Sequence, residues 1–305
     1  MACSVVMSSG LQLMRQFRSP SARYFACLRF DEVAVLQGTP LLGAMLALPG
    51  HGFDQIPALA VLAVANFCLV AHVFVLNDWA NVVADHADPE RAPRVFTARG
   101  VSRGEMRTLA LGLLAAGLIL LGTLGRTPLL LGAGVAVMSA LYSLPRSAWK
   151  GRPVLSSIAH LVGGILHFLI GYSLAGAIDV RGVAAAVFFG LTFAAGHLTQ
   201  ELRDYRVDRQ NGIFTNAVYF GPRRALQASV TLFGLAQLVL AALAFTGVVP
   251  QVVAAAALLF PLHVRWAVRA AADDFSVTSV RRMQARYRAL HAVIGVVMVA
   301  ALLFA

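Results

Sequence analysis

Nine stretches of this chain are apolar over the length needed to cross a bilayer, about 17–25 residues each. They cover residues 31–49, 57–76, 106–124, 127–145, 154–176, 182–200, 223–247, 249–268 and 288–305, and ends such as 145 and 182 are marked by Pro or Gly. Inside hydrocarbon every backbone N–H and C=O must be paired within the protein, so runs of this kind fold as helices. The expected architecture is an all-α integral membrane protein with nine transmembrane helices. Composition agrees: 59% of residues are hydrophobic, only 13% are charged, and the mean hydropathy is +0.74. A soluble domain of 305 residues would carry far more polar surface.

The net charge of +11 would fit nucleic acid, but its distribution does not. Of 25 basic residues, 24 are Arg and one is Lys150. With the N-terminus inside, the segments 1–30, 77–105, 146–153, 201–222 and 269–287, with the adjoining helix ends, hold every basic residue except Arg126 and Arg181. This is the positive-inside pattern of a multi-pass protein with no nucleic-acid partner. Its excess charge faces anionic lipid or a diphosphate. A bacterial plasma membrane suits it better than an organelle. Residues 1–30 carry Arg15, Arg18, Arg23 and Arg29 and no acidic residue. They are expected to form a basic interfacial segment ahead of a single membrane domain, residues 31–305, although a transit peptide shares that composition. The cysteines, Cys3, Cys27 and Cys68, are too few and too scattered for a disulfide framework.

Against this apolar background, polar side chains recur where two spans end. Asn77, Asn81 and Asp85 follow the second span, and Gln200, Asp204 and Asp208 follow the sixth. Steps of four residues stack each trio on one helix face, about 6 Å of rise apart. Ionisable groups at the edge of a membrane span are costly and mark function. Four of the 14 acidic residues, Asp78, Asp85, Asp204 and Asp208, fall in these stretches. The stretches begin 123 residues apart, four helices, which points to two pseudo-repeated halves around a central cavity. Facing carboxylates suit Mg²⁺, which takes a few carboxylates together with phosphate oxygens. Arginines and the lone lysine nearby suit the phosphates themselves: Arg91, Arg94, Arg99, Lys150, Arg203 and Arg209. His72 and His167, inside spans, are expected as packed polar residues, and Gly132, Gly134, Gly163 and Gly164 as points of close helix packing.

The first stretch and its continuation, NDWANVVADHADPERAPRVFTARGVSRGEM, resemble the signature of the UbiA-type intramembrane prenyltransferase superfamily. The second, ELRDYRVDRQNGIFTNAVYFG, is similar to that family's Asp-x-x-x-Asp cluster with its Arg-Gly-Thr tail, here Asp204, Asp208, Arg209, Gly212 and Thr215. Between them, Tyr142-Ser143-Leu144-Pro145 with Lys150 matches the family's Tyr-Ser-x-Pro turn and lysine, and Leu28-Arg29-Phe30 resembles its Arg-bearing lead into the first span. The resemblance covers essentially the whole chain. It departs at Asn81, where the family has Asp, at Arg206-Val207, where Glu-Gly is common, and at Val95, where Pro is common.

The resemblance implies an enzyme that binds an isoprenyl diphosphate through Mg²⁺, ionises it to an allylic cation and passes the prenyl group to an acceptor, often an electron-rich aromatic ring. It implies Asp85, Asp204 and Asp208 as catalytic. Asn77 and Asn81 would join them on the metal, and Arg91, Arg94, Lys150, Arg203 and Arg209 would hold the diphosphate. Arg29, Asp78, Tyr142 and Gln200 would contact substrate or cation, and the site would face the cytoplasm. A terpene cyclase on the same scaffold, trapping the cation on the substrate's own double bonds, is the alternative. A transporter would explain polar helix ends and glycines but needs no Asp-x-x-x-Asp cluster.

Overall fold

The computed structural model describes residues 20–48, 53–88 and 91–303, and among them every regular element is helical. Residues 1–19 of the expected interfacial segment lie outside the described residues. The elements are α1 (Pro20–Phe25), α2 (Phe30–Val35), α3 (Gly38–Ala47), α4 (Ile56–Ala87), α5 (Arg103–Leu124) and α6 (Arg126–Ser143), followed by α7 (Leu155–Tyr172), α8 (Val180–Gln210), α9 (Asn216–Phe220), α10 (Pro222–Phe245), α11 (Phe260–Ala272) and α12 (Val277–Leu303).

Seven helical segments among the described residues are long and apolar enough to cross a membrane: α4, α5, α7 with its 3₁₀ extension, α8, α10, α11 with the 3₁₀ turn before it, and α12. The other two expected spans take a different form. Residues 31–49 divide into the short α2 and the 10-residue α3, and residues 127–145 become the 18-residue α6, which has Arg126 in its first turn. The break between α2 and α3 falls at Leu36 and Gln37, just ahead of Gly38 and Pro40; Pro40 has no N–H to offer the Leu36 carbonyl, so the helical ladder cannot run through.

Neighbours in sequence are neighbours in space from α3 through α8, then α10, α11 and α12, and α12 returns to α3 to close the ring. α3 also packs on α7, and α8 on α12. Side chains such as Ile119, Leu130, Leu238 and Val296 point outward, as a lipid-facing surface requires.

Two helices are much longer than the hydrocarbon core. α4 has 32 residues and α8 has 31, or about 48 and 46 Å at 1.5 Å per residue, against a core of about 30 Å. The surplus lies at their C-terminal ends, where both polar trios sit. Pro89 follows α4 in the sequence and drives Asp88 into extended backbone, φ −91 and ψ 114, which stops the helix. α8 ends in a Schellman turn. Gly212 takes φ +67, Ile213 N–H donates to the Asp208 carbonyl at 2.8 Å, and Gly212 N–H donates to Arg209 at 3.3 Å.

Glycine sets the closest approaches. A Cβ on Gly171 would lie 1.7 Å from the Pro40 carbonyl oxygen, and one on Gly43 would lie 2.4 Å from that of Phe168. α3 and α7 thus touch backbone to backbone. Gly164 meets Gly190 of α8 in the same way, and Gly132 faces Leu121. Gly163 departs from the expected packing role: nothing stands within 4 Å of its Cβ position, and it lines the central cavity. Gly171→Ala is therefore expected to force α3 and α7 apart and cost at least about 1–3 kcal/mol, seen as a lower melting temperature in detergent. Gly163→Ala should melt like the parent.

Candidate active site

Between the carboxylate-bearing ends of α4 and α8 opens a cavity of about 890 Å³. Nearly every expected site residue lines it: Arg29, Asn77, Asp78, Asn81, Asp85, Arg91, Arg94, Tyr142, Lys150, Gln200, Arg203, Asp204 and Asp208. Arg209 is the exception. It is exposed, outside the lining, and donates to the Tyr205 hydroxyl at 3.3 Å, because the i+1 step from Asp208 turns it away from the trio's face.

Arg91 ties the two helix ends together. Its Nη1 lies 3.2 Å from Asp85, its Nε 3.1 Å from Asp88, and its Nη2 2.5 Å from Asp204 on α8. Burial would lower its pKa, but the carboxylates of Asp204 and Asp85 outweigh it and hold the guanidinium above its ordinary value. Asp204 also receives a bidentate contact from Arg203, at 2.9 and 3.1 Å. Arg29 forks onto both oxygens of Asp78, and Arg94 lines the cavity with no ion pair or side-chain hydrogen bond among the described residues. Asp208 is only 4% exposed, and its carboxylate makes no ion pair or hydrogen bond among the described residues. The opposite charges acting on it are Lys150 and Arg91.

Asn81 is turned inward on its own trio. Its amide nitrogen donates to the Asn77 carbonyl at 2.8 Å and to Asn77 Oδ1 at 2.9 Å, while its Oδ1 accepts from Lys150 at 3.3 Å. Asn77 in turn donates to Ser143 at 3.3 Å. The trio is thus a hydrogen-bonded ladder leading to the lysine loop.

Several cavity residues are not among those expected from the sequence. His160 of α7 and His197 of α8 stack with centroids 3.7 Å apart and planes 8° apart, and Tyr142 meets them edge-on at 4.9 and 5.9 Å. His160 Nδ1 lies 2.9 Å from the Ser156 carbonyl, an acceptor only, so Nδ1 carries the proton and Nε2 keeps its lone pair. Glu201 is 4% exposed and acts as a clasp, accepting from Ser156 at 3.1 Å, Asn216 at 3.0 Å and the Ala217 N–H at 3.2 Å. It anchors the turn after α8 to α7. His197 and Glu201 stand four apart just before Asp204, a spacing that could have flagged them. His160 lies on another helix, and no local pattern announces it. His72 and His167 are packed as expected, on the Ala110 carbonyl at 2.8 Å and Asn66 at 2.6 Å, though His167 also reaches the cavity. Gly100-Val101-Ser102, at the end of the first polar stretch and its continuation, leads into α5 through a capping box: Ser102 accepts from the Glu105 N–H at 3.1 Å, and Glu105 accepts from the Ser102 N–H at 2.7 Å.

The sequence pattern of the UbiA prenyltransferase family matches residues 38–303. The chain belongs to that family. It is therefore an enzyme of the prenyl-transferring class and an integral, multi-pass membrane protein. Solved UbiA folds superpose over most of its length. A UbiA homolog from Archaeoglobus fulgidus bound to DMAPP and Mg²⁺ is 19% identical, with TM-score 0.64 over 90% of this chain and 99% of that one. A UbiA homolog from Aeropyrum pernix K1 in its apo form is 20% identical, with TM-score 0.70 over 89% and 98%. A structure of digeranylgeranylglyceryl phosphate synthase is 14% identical, with TM-score 0.69 over 93% and 99%. At these identities the likeness establishes the fold. No protein of curated function matches the sequence.

In this UbiA-family chain no three His, Cys, Asp or Glu side chains among the described residues converge into a ready-made metal cage. Mg²⁺ does not require one. It binds through one or two carboxylates and fills its octahedron with water and substrate phosphate oxygens. Asp85 faces Asp204 closely enough for one guanidinium to bridge them, and Asp208 lines the same cavity without a direct partner. Hard oxygen donors split between two helix ends, with room between them, fit Mg²⁺ bound together with a diphosphate.

Proposed function

We propose that the cavity is the active site of a Mg²⁺-dependent membrane prenyltransferase that moves an isoprenyl group from an isoprenyl diphosphate to an acceptor, foremost an electron-rich aromatic ring. The observation that carries this reading is the facing of two carboxylate-bearing helix ends, ringed by Arg91, Arg94, Arg203 and Lys150, over a cavity that continues between apolar side chains such as Val70, Phe74, Val135, Met138 and Phe193.

Each wall has a task in this reading. Arg94 has no protein partner among the described residues, so it can meet phosphate oxygens without breaking an ion pair. Arg91, Arg203 and Lys150 add positive charge where the leaving group departs. Mg²⁺, held by Asp85, Asp204 and Asp208, would neutralise the departing diphosphate as a Lewis acid, and the amide oxygens of Asn77 and Asn81 would join it by giving up the contacts they accept from Asn81 and Lys150. The allylic C–O bond breaks with its electron pair going to the diphosphate. The prenyl cation is left in a cavity that Tyr142 lines, and the quadrupole of that ring favours it. Apolar walls keep water from capturing it. The acceptor forms the new bond and loses a proton, for which the free lone pair of His160 Nε2 is a suitable base. Arg29, held by Asp78, and Gln200 border the space left for substrate.

The same reading takes the carboxylate-bearing end as the cytoplasmic face, from the bias of arginines toward it, and the membrane as a bacterial plasma membrane. It counts the α2–α3 pair and α6 with the seven longer segments as nine crossings of one domain.

Offering a series of isoprenyl diphosphates, with and without a mixture of aromatic acceptors, and reading the products by mass spectrometry tests it. A prenylated adduct that forms only with acceptor is expected, with one diphosphate released per adduct. A hydrocarbon or terpene alcohol formed equally well without acceptor would replace the transferase reading with a cyclase. No diphosphate release from any donor would sink both.

A further inference from the structure

A second, smaller pocket of about 230 Å³ lies between α11 and α12, and no residue lines both it and the large cavity. Its lining is Trp266 and Arg269 of α11 with Ser279, Arg282, Met283 and Arg286 of α12. Spacings of three, four and seven residues put the α12 set on one helix face, opposite Trp266 and Arg269. Three arginines, Arg269 and Arg282 exposed and Arg286 half-buried, therefore line one concavity that has no carboxylate in its wall. None of the three makes an ion pair or side-chain hydrogen bond among the described residues. The turn between the helices does contain Asp273 and Asp274, but neither lines the pocket, and Asp273 accepts from the Ser276 hydroxyl at 2.7 Å. Elsewhere on this membrane face Arg29, Arg91, Arg203 and Arg288 each have a carboxylate partner.

Positive-inside topology accounts for arginines at this level of the membrane. It does not account for three of them lining one concavity over a packed floor. Met283 is buried and Trp266 packs against the same apolar cluster, so the floor is fixed while the guanidinium groups repel. An anion relieves that repulsion, and a phosphate oxygen set can take charge-assisted bonds from several arginines at once.

We propose that the α11–α12 pocket binds the phosphate group of an anionic phospholipid. Its place decides between a lipid and a free anion. It sits where the C-terminal end of α11 and the N-terminal end of α12 leave the membrane, on the same face as the ends of α4 and α8. A tryptophan there matches the headgroup level. A zwitterionic headgroup suits it poorly, because its cationic end would meet three arginines and no carboxylate.

The test uses the full chain reconstituted in phosphatidylcholine vesicles, with phosphatidylglycerol added stepwise and the melting temperature followed to give an apparent lipid affinity. Phosphatidylglycerol is expected to stabilise the protein saturably. The double variant Arg282→Ala/Arg286→Ala should weaken the apparent affinity by at least about 10²-fold, the loss of two charge-assisted bonds at about tenfold or more each. Arg223→Ala/Arg224→Ala removes equal charge from the same membrane face and should leave the affinity within about twofold. If the alanine double does not fold, Arg269→Gln, at an exposed position, should alone weaken binding about tenfold. The proposal is overturned if the pocket variants bind like the parent, if both doubles lose affinity equally, or if inorganic phosphate reproduces the lipid effect.

Discussion

Asp204→Ala and Asp208→Ala are each expected to lower turnover by about 10²–10³-fold or more, the usual cost of deleting one preorganised electrostatic group at a reacting centre. The two should differ in what else they disturb. Asp208 is nearly buried and has no direct partner among the described residues, so its loss removes a desolvated charge and strands nothing. The Asp208→Ala protein should melt at least as high as the parent while losing activity. Asp204 is shared by Arg91 and Arg203. Its removal frees two guanidinium groups and should lower stability as well as rate, although Asp85 and Asp88 still hold Arg91. Excess chelator should stop parental turnover, and restored Mg²⁺ should return it. Near-parental rates in either folded variant, or full turnover in chelator, would remove these carboxylates from a metal-binding role.

The residues that face the cavity were legible in the sequence wherever the signal was local. A four-residue step of polar groups after a long apolar run is unusual enough to mark both helix ends, and the basic loop after α4 follows it directly. Arg209 shows the limit of reading by proximity. It directly follows Asp208 in the chain, yet helical geometry sends it outward. Asn81 shows the limit of reading by residue type. Its amide has the oxygen a metal ligand needs, but Asn77 and Lys150 occupy both ends of it.

Contacts between distant helices were not legible. The stack of His160 on His197, the clasp of Glu201 on Asn216 and the contact of Gly171 with Pro40 each join segments whose juxtaposition depends on how the ring of helices closes. The division of residues 31–49 into α2 and α3 was hidden for a related reason. Mean hydropathy over a window does not register that Gly38 and Pro40 restart the helix, and a ten-residue α3 is stable only because it is pressed against α7.

Arg91→Ala is expected to change the site in two opposite directions. In the structure this side chain joins three carboxylates, Asp85, Asp88 and Asp204, each met by a different nitrogen, while Arg203 also holds Asp204. Without it the local potential becomes more negative, and like charges confined near one another favour a bound cation. The Mg²⁺ concentration for half-maximal activity should therefore fall. The diphosphate, however, loses a planar fork that can take two of its oxygens, and the ends of α4 and α8 lose their tie. Its KM should rise and kcat/KM should drop by about 10²-fold, equivalent to roughly 2.7 kcal/mol. Arg91→Lys keeps the charge but not the fork. It should leave the metal requirement near the parent's and recover only part of the loss in kcat/KM. That pairing separates charge from geometry. If alanine and lysine fail equally with no change in metal requirement, Arg91 acts only as a mechanical tie between helices. If both retain parental kcat/KM, the diphosphate does not meet this residue at all. A metal titration beside a donor titration, on the parent and both variants, reads all of these quantities from one set of proteins.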